Sequence, residues 1–245
     1  MEIMKYKKLR NGRYELTLSN NSNIELYEDA ILKYNLLISK NIDNLEDIIN
    51  YNTYCHVYYE GLKYLKTRAR SKKEVYDKLL KNEYSIDMIN DALEKLEKQG
   101  YINDKIFATS YLNNKLITTT RGPFKIRKEL QDKGINNDII NEILTSYTEE
   151  IQIEKINKII NRMIKSNRNK GTYVLKRKIQ SDLIMEGFNK KLIDSLIENT
   201  EFPDDSGIYK KEYDKLYKKL SNKYSGSELE FKIKQKLYQK GLRDE

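Results

Sequence analysis

Cysteine occurs once in this chain of 245 residues, histidine once, proline twice and tryptophan not at all. A single cysteine, Cys55, excludes an internal disulfide and any cysteine-built zinc site drawn from this chain alone. The lone histidine, His56, is its neighbour, but successive helical positions point about 100° apart, so the two cannot form a thiolate–imidazole pair. None of the ten glycines lies in a Gly-x-x-x-x-Gly-Lys loop or a Gly-x-Gly-x-x-Gly turn, which removes the usual sequence support for nucleotide binding. The acidic pairs Glu149/Glu150 and Asp204/Asp205 lack partners at metal-ligand spacing and read as helix-start charges. No apolar run approaches the roughly 18 residues of a membrane span, and the N-terminus has no signal-peptide core. The expectation is a cytoplasmic protein that is not an enzyme, has no membrane contact and requires neither cofactor nor metal. With so few helix breakers, it should be mostly helical.

Charge is what the chain has in plenty. Charged residues make up 34% against 38% hydrophobic, which favours a thin or elongated shape over a compact sphere. The net charge is +9, from 46 Lys plus Arg against 37 Asp plus Glu, and it suggests an anionic partner such as nucleic acid or a nucleoprotein. Abundant Ile, Asn, Tyr and Lys also fit AT-rich coding, which would produce part of this excess without any binding meaning. The distribution is more informative: residues 151–200 hold 11 basic and 5 acidic side chains, whereas residues 1–50 hold 7 and 8.

The segments 79–93, 130–144 and 183–197 align with apolar residues at their first, sixth, eleventh and fifteenth places, and 237–245 begins the same pattern. The offsets of 51, 53 and 54 residues lie in the range of stacked-repeat architectures. Each unit reads as three helices. The middle helix starts at Ser71 with Glu74, at Gly122 before Pro123, at Thr172, and at Ser227 with Glu230; two of these are capping-box spacings. It closes at Gly134, Gly187 and Gly241, where a left-handed residue costs least. Glu83 stands in the glycine's place in the first unit, so a differently formed or frayed end is expected there, at a cost on the order of 1 kcal/mol. Flanking stripes include Tyr58, Leu62 and Leu65; Phe107 and Tyr111; and Ile156, Ile159, Ile160 and Met163.

The resulting fold class is all-α: tandem three-helix repeats in an elongated, curved array with a small N-terminal β-hairpin. Residues 1–53 form the hairpin (Tyr14, Leu16, Leu18 facing Ile24 and Leu26) and a supporting helix; a lone hairpin is marginal in water and must lean on a helix near 30–37 or one starting near Asp43. Repeats follow at 54–103, 104–148 and 149–200. An incomplete fourth unit occupies 201–245, with stripes Tyr209, Tyr213, Leu216, Leu220 and Ile233, Leu237. Lacking a third helix, it should pack on the third unit or stay mobile.

Cations recur where the middle helices begin: Arg68, Arg70, Lys72 and Lys73 in the first unit, Arg121, Lys125, Arg127 and Lys128 in the second, Lys176, Arg177 and Lys178 in the third. A cation at a helix N-terminus opposes the helix dipole and costs a few tenths of a kcal/mol, so the recurrence points to a partner. The competing explanation is local i,i+4 pairing, as in Glu74 with Lys78 and Asp77 with Lys81.

At these residues the chain resembles a known family. "LKTRARSKKEVYDKLL" is similar to the Leu-x-x-Arg-x-Arg-Ser-x-x-Glu-Leu signature of the RecX regulators of the bacterial recombinase RecA, with Val75 in the leucine's place. Residues 102–135 resemble their second-repeat motif through Asp104, Phe107, Ala108, Tyr111, Gly122, Ile126, Glu129, Leu130 and Gly134. Lys115 stands where arginine is common and joins the candidate contact residues. The resemblance spans about residues 54–200. It implies a negative regulator of homologous recombination and the SOS response. Such a regulator would lie in the groove of the RecA filament on single-stranded DNA, contact phosphates and inhibit ATP hydrolysis, strand exchange and co-protease activity; a monomer is expected. The alternative is a stand-alone DNA-binding helical-repeat protein, which would bind naked DNA with a steep salt dependence.

Overall fold

The computed structural model describes residues 1–10, 12–167 and 170–242. The chain divides into two compact units, Met1–Thr109 with Asp132–Ile139, and Ser110–Gln131 with Ile140–Glu245.

In the first unit three antiparallel strands, β1 (Ile3–Lys8), β2 (Arg13–Leu18) and β3 (Asn23–Tyr27), lie in the order β1-β2-β3. The expected hairpin is β2–β3, with Leu16 opposite Ile24 and Tyr14 opposite Leu26. Strand β1 adds to it, pairing Tyr6 with Leu16. Helices α1 (Glu28–Lys33) and α2 (Leu45–Leu65) close the apolar face. Leu16, Leu18, Leu26, Ala30, Ile31 and Ile48 are buried together there, each large side chain contributing about 1.5–3 kcal/mol.

Asn44 caps α2 by accepting from the Glu46 and Asp47 amides, and the helix then runs for 21 residues without a break. One element thus serves two cores: Ile48 packs under the sheet, while Val57 and Tyr58 pack with Val75, Leu79, Ile89, Leu93 and Leu96. These latter residues come from α3 (Lys72–Leu80) and α4 (Ile86–Lys98), which complete the first three-helix repeat.

The chain continues with α5 (Asp104–Thr118), α6 (Pro123–Asp132) and α7 (Asn137–Leu144), then α8 (Glu149–Ser166), α9 (Thr172–Met185) and α10 (Lys190–Glu198). Two further helices follow, α11 (Ser206–Leu220) and α12 (Gly226–Gln239), in the segment expected to be a fourth unit. Leu216, Leu220, Leu229, Ile233, Leu237 and Leu242 make its core. The repeat motif at 237–245 is described as far as Leu242.

Two helix starts differ from expectation. Thr172 is the first residue of α9, not its cap, which is Gly171. Ser227 lies inside α12, whose cap position is Ser225, and Glu230 accepts a hydrogen bond from the Tyr213 hydroxyl instead of closing a capping box. Ser71 and Glu74 do form the full capping box. The end of α3 is not differently formed from the other middle-helix ends. Glu83 holds φ +60°, the left-handed conformation that Gly134, Gly187 and Gly241 adopt at φ +77°, +88° and +75°.

Candidate nucleic-acid and partner interface

The middle helices meet end to end. Ser71 Oγ, at the start of α3, donates to the Lys133 carbonyl at 2.8 Å, and Lys73 Nζ donates to the Asp132 carbonyl at 2.9 Å. In the second unit the Gly122 amide, before α6, donates to the Glu186 carbonyl at 2.7 Å, and Phe124 N donates to Gly187 O at 3.0 Å. Gly171, before α9, lies against the Gly241 carbonyl. In every junction the N-terminus of one middle helix receives the left-handed C-terminus of the next repeat's middle helix. In the second junction the orphan N–H groups before α6 and the orphan carbonyls after α9 satisfy each other, while in the first the side chains of Ser71 and Lys73 donate to the carbonyls.

This close approach explains the glycines. A Cβ on Gly122 would stand 2.5 Å from the Gly187 carbonyl carbon, so no larger residue fits without moving backbone. Gly187 combines its positive φ with a Cβ position that would overlap the backbone of Lys125. Glu83 closes the first repeat, which has no preceding repeat to pack on, so only the conformational requirement remains there.

Carboxylates complete the junctions. Asp104, at the start of α5, accepts from Lys72 N at 2.8 Å, and burial pushes its carboxyl above the usual range despite that bond. Asp205 accepts from Thr172 N at 2.9 Å and from Thr172 Oγ1 at 2.8 Å. The corresponding position in α6 is Pro123, which has no amide to cap. Glu74 is held at the first junction by Arg68 and Lys133, both at 3.0 Å, and by the Ser71 amide. Burial alone would raise its pKa; these three partners outweigh burial and bring it down to about 2.

The predicted cations occupy varied positions around this scheme. Arg68 is exposed and pairs with Glu74, and Lys72 reaches Glu97 at 2.7 Å. The Arg70 guanidinium stacks 4.0 Å from the Tyr64 ring centroid and bonds Thr67, leaving its buried Nε without a partner. Lys115 lies over the Tyr111 ring, and the Tyr111 hydroxyl donates to Glu129, which also pairs with Arg121. Burial and then Glu129 push the Tyr111 hydroxyl up to about 12. Lys125 bonds Glu186 at 3.2 Å and Arg127 bonds Asn141 at 2.7 Å. Lys128 is exposed and makes no ion pair among the described residues. Lys176 lies over Phe202, Arg177 over Tyr173, and Lys178 pairs with Asp182 four positions on.

The recurrence of cations therefore has a local cause that the dipole argument omitted. A second helix end, with its negative pole, abuts each of these N-termini. Lys73 and Lys125 bind that end directly. The exposed pairs are weak, about 0–1 kcal/mol each, and leave Arg68, Arg177 and Lys178 free to exchange partners.

A second cationic feature lies on α8. Ile156, Ile159, Ile160 and Met163 are buried, and the opposite face presents Lys158, Arg162 and Lys165, all exposed and without an ion pair among the described residues. They line a groove of about 920 Å³ with Glu154, Asn157, Asn161 and Ser166. A hollow of about 640 Å³ shares Glu154 and Lys158 with it and extends past Thr118, Thr119 and Thr120 to Arg121, Lys125 and Lys155. Lys155 fixes this end, donating to the Leu116 and Thr119 carbonyls at 2.7 Å each, and burial lowers its pKa. The i, i+4, i+7 spacing of Lys158, Arg162 and Lys165 was visible in the sequence, but it resembles any solvated helix face.

The remaining single residues are structural. Cys55 is buried, its thiol pushed up to about 11, and His56 Nδ1 hydrogen-bonds the Tyr27 hydroxyl at 2.8 Å. No described helix is long and apolar enough to cross a membrane.

Repeated three-helix units joined through their middle helices, with a cationic groove on one of them, define a tandem helical-repeat protein. Two sequence models of one family match: RecX, first three-helix domain, over residues 58–96, and RecX, second three-helix domain, over residues 103–144. A Regulatory protein RecX from Streptococcus agalactiae is 31% identical over all of this chain and 96% of its own length. Another from Listeria monocytogenes is 29% identical over 94% of this chain and 87% of its own. A crystal structure of a regulatory protein RecX superposes with TM-score 0.71 at 25% identity, covering 81% of this chain and 99% of the other. That of RecX from Lactobacillus salivarius gives 0.56 at 31% identity, over 59% and 94%. The chain belongs to the RecX family of regulatory proteins.

Proposed function

We propose that the protein is a negative regulator of the RecA recombinase, acting from the groove of the RecA filament on single-stranded DNA. There it inhibits ATP hydrolysis, strand exchange and co-protease activity, and so restrains recombination and the SOS response. The observation that carries this reading is the similarity of the whole chain, repeats included, to a regulatory RecX protein. Each three-helix repeat, with the boundaries 54–103, 104–148 and 149–200, is one contact module, and the exposed cations at the junctions, Arg68, Lys128, Arg177 and Lys178, face filament phosphates or carboxylates. The protein acts as a monomer in the cytoplasm. The test is DNA-dependent ATP hydrolysis by the cognate recombinase as this protein is added.

A second reading, a stand-alone DNA-binding repeat protein, is favoured by the net charge of +9 and by the α8 groove. The two separate by binding to DNA with and without recombinase.

A further inference from the structure

We infer that the α8 groove, and not the row of helix entrances, is the track for a nucleic-acid strand, gripping its sugar–phosphate backbone through Lys158, Arg162 and Lys165. This inference rests on the regulatory reading above and names the surface that meets the DNA. Several entrance cations are committed inside the chain: Lys73 and Lys125 bind the next helix end, Arg121 binds Glu129 and Arg70 stacks on Tyr64. The three α8 cations are exposed and carry no such ion pair among the described residues.

The chemistry of the groove favours a phosphodiester strand over an acidic protein segment. The seven steps from Lys158 to Lys165 rise about 10 Å at 1.5 Å per residue, about three intervals of 3.4 Å along one stacked strand. Three cations therefore lie within reach of a run of about four phosphates. Asn157 and Asn161 beside them, and the Thr120 hydroxyl beyond, are neutral donors suited to non-bridging phosphate oxygens. The described lining holds no aromatic ring on which a base could stack, so the groove reads backbone and not sequence.

The experiment is binding of a labelled oligothymidylate to the full chain across a salt series, comparing wild type with the triple variant K158A/R162A/K165A. A control of equal charge, K211A/K218A/K219A, removes exposed lysines from α11. The expected result is a loss on the order of tenfold or more at low salt for the groove variant, with a salt slope shallower by about 2 for three lost single-strand contacts, and little change for the control. Equal losses in the two variants would reduce the effect to net charge and overturn the inference. So would wild-type binding that survives the groove substitutions, no binding at all, or displacement by polyglutamate as effective as by unlabelled oligothymidylate. Circular dichroism melting of the variants, whose changed side chains are exposed, controls for folding. The recombinase assay is run separately, so failure of the groove leaves the regulatory reading to stand or fall by itself.

Discussion

Glu74 concentrates more of the first junction than any other side chain. It closes the α3 capping box and receives Arg68, Lys133 and the Ser71 amide. Its folded pKa of about 2 lies below the ordinary glutamate value. A depressed carboxylate contributes stability that is fully present above the unfolded pKa, near 4.5, and is lost as pH falls through that value toward 2. Because Arg68 and part of Glu74 face solvent, screening limits the contribution to about 1–2 kcal/mol. Glu74→Gln should therefore lower the urea midpoint at pH 7, and the gap from wild type should narrow as the pH falls toward 3; a gap that is constant with pH would contradict the ion-pair account. The glycine positions make an opposite pair of predictions. Gly187→Ala meets both a positive φ and the Lys125 backbone and should cost about 2–4 kcal/mol. Glu83→Gly relieves the same φ where no neighbouring helix crowds it and should stabilise by about 0.5–1 kcal/mol. Thermal melts of the two variants distinguish a requirement of packing from one of conformation.

At the scale of elements, the helices were legible in the sequence because each has an apolar stripe at helical period, and the stripes named at Tyr58, Ile156, Leu216 and Ile233 are core positions. The hairpin was legible from the alternation of Tyr14, Leu16 and Leu18. Strand β1 was not, because "IMKYKK" buries only Ile3 and leaves Met4 and the lysines exposed at an edge, so its pattern carries no period of two. The junctions escaped for another reason: they join residues some 60 positions apart, such as Ser71 with Lys133. Local capping rules put Thr172 at a cap because they could not see Asp205, 33 residues on, which does the capping. That contact also ties the fourth unit to the third, answering how a two-helix unit covers itself: Gly241 and Leu242 lie against Gly171. Asp205→Ala should cost about 1 kcal/mol and raise amide exchange in the first turn of α9 and in α11, while α2–α4 keep their protection. Unchanged exchange in α9 would remove Asp205 from the junction.

For the whole molecule, the repeated motif and family resemblance were enough to place the chain in the RecX family, and the full-length relatives agree. The candidate site was less legible. Cations near helix starts stood out as a recurring sequence feature, and two of them, Lys73 and Lys125, reach across a helix-to-helix junction, while the α8 groove is built from residues that look like an ordinary solvated face. The charge surplus of residues 151–200 was its one trace in composition. The regulatory account is tested most directly by the steady-state rate of ATP hydrolysis by the cognate RecA on single-stranded DNA, followed as this protein is titrated. The account predicts that the rate falls at protein amounts well below those needed to cover the DNA, and that DNA-free protein added to recombinase alone does not reproduce the effect. A rate that stays constant until the DNA itself is saturated would contradict it.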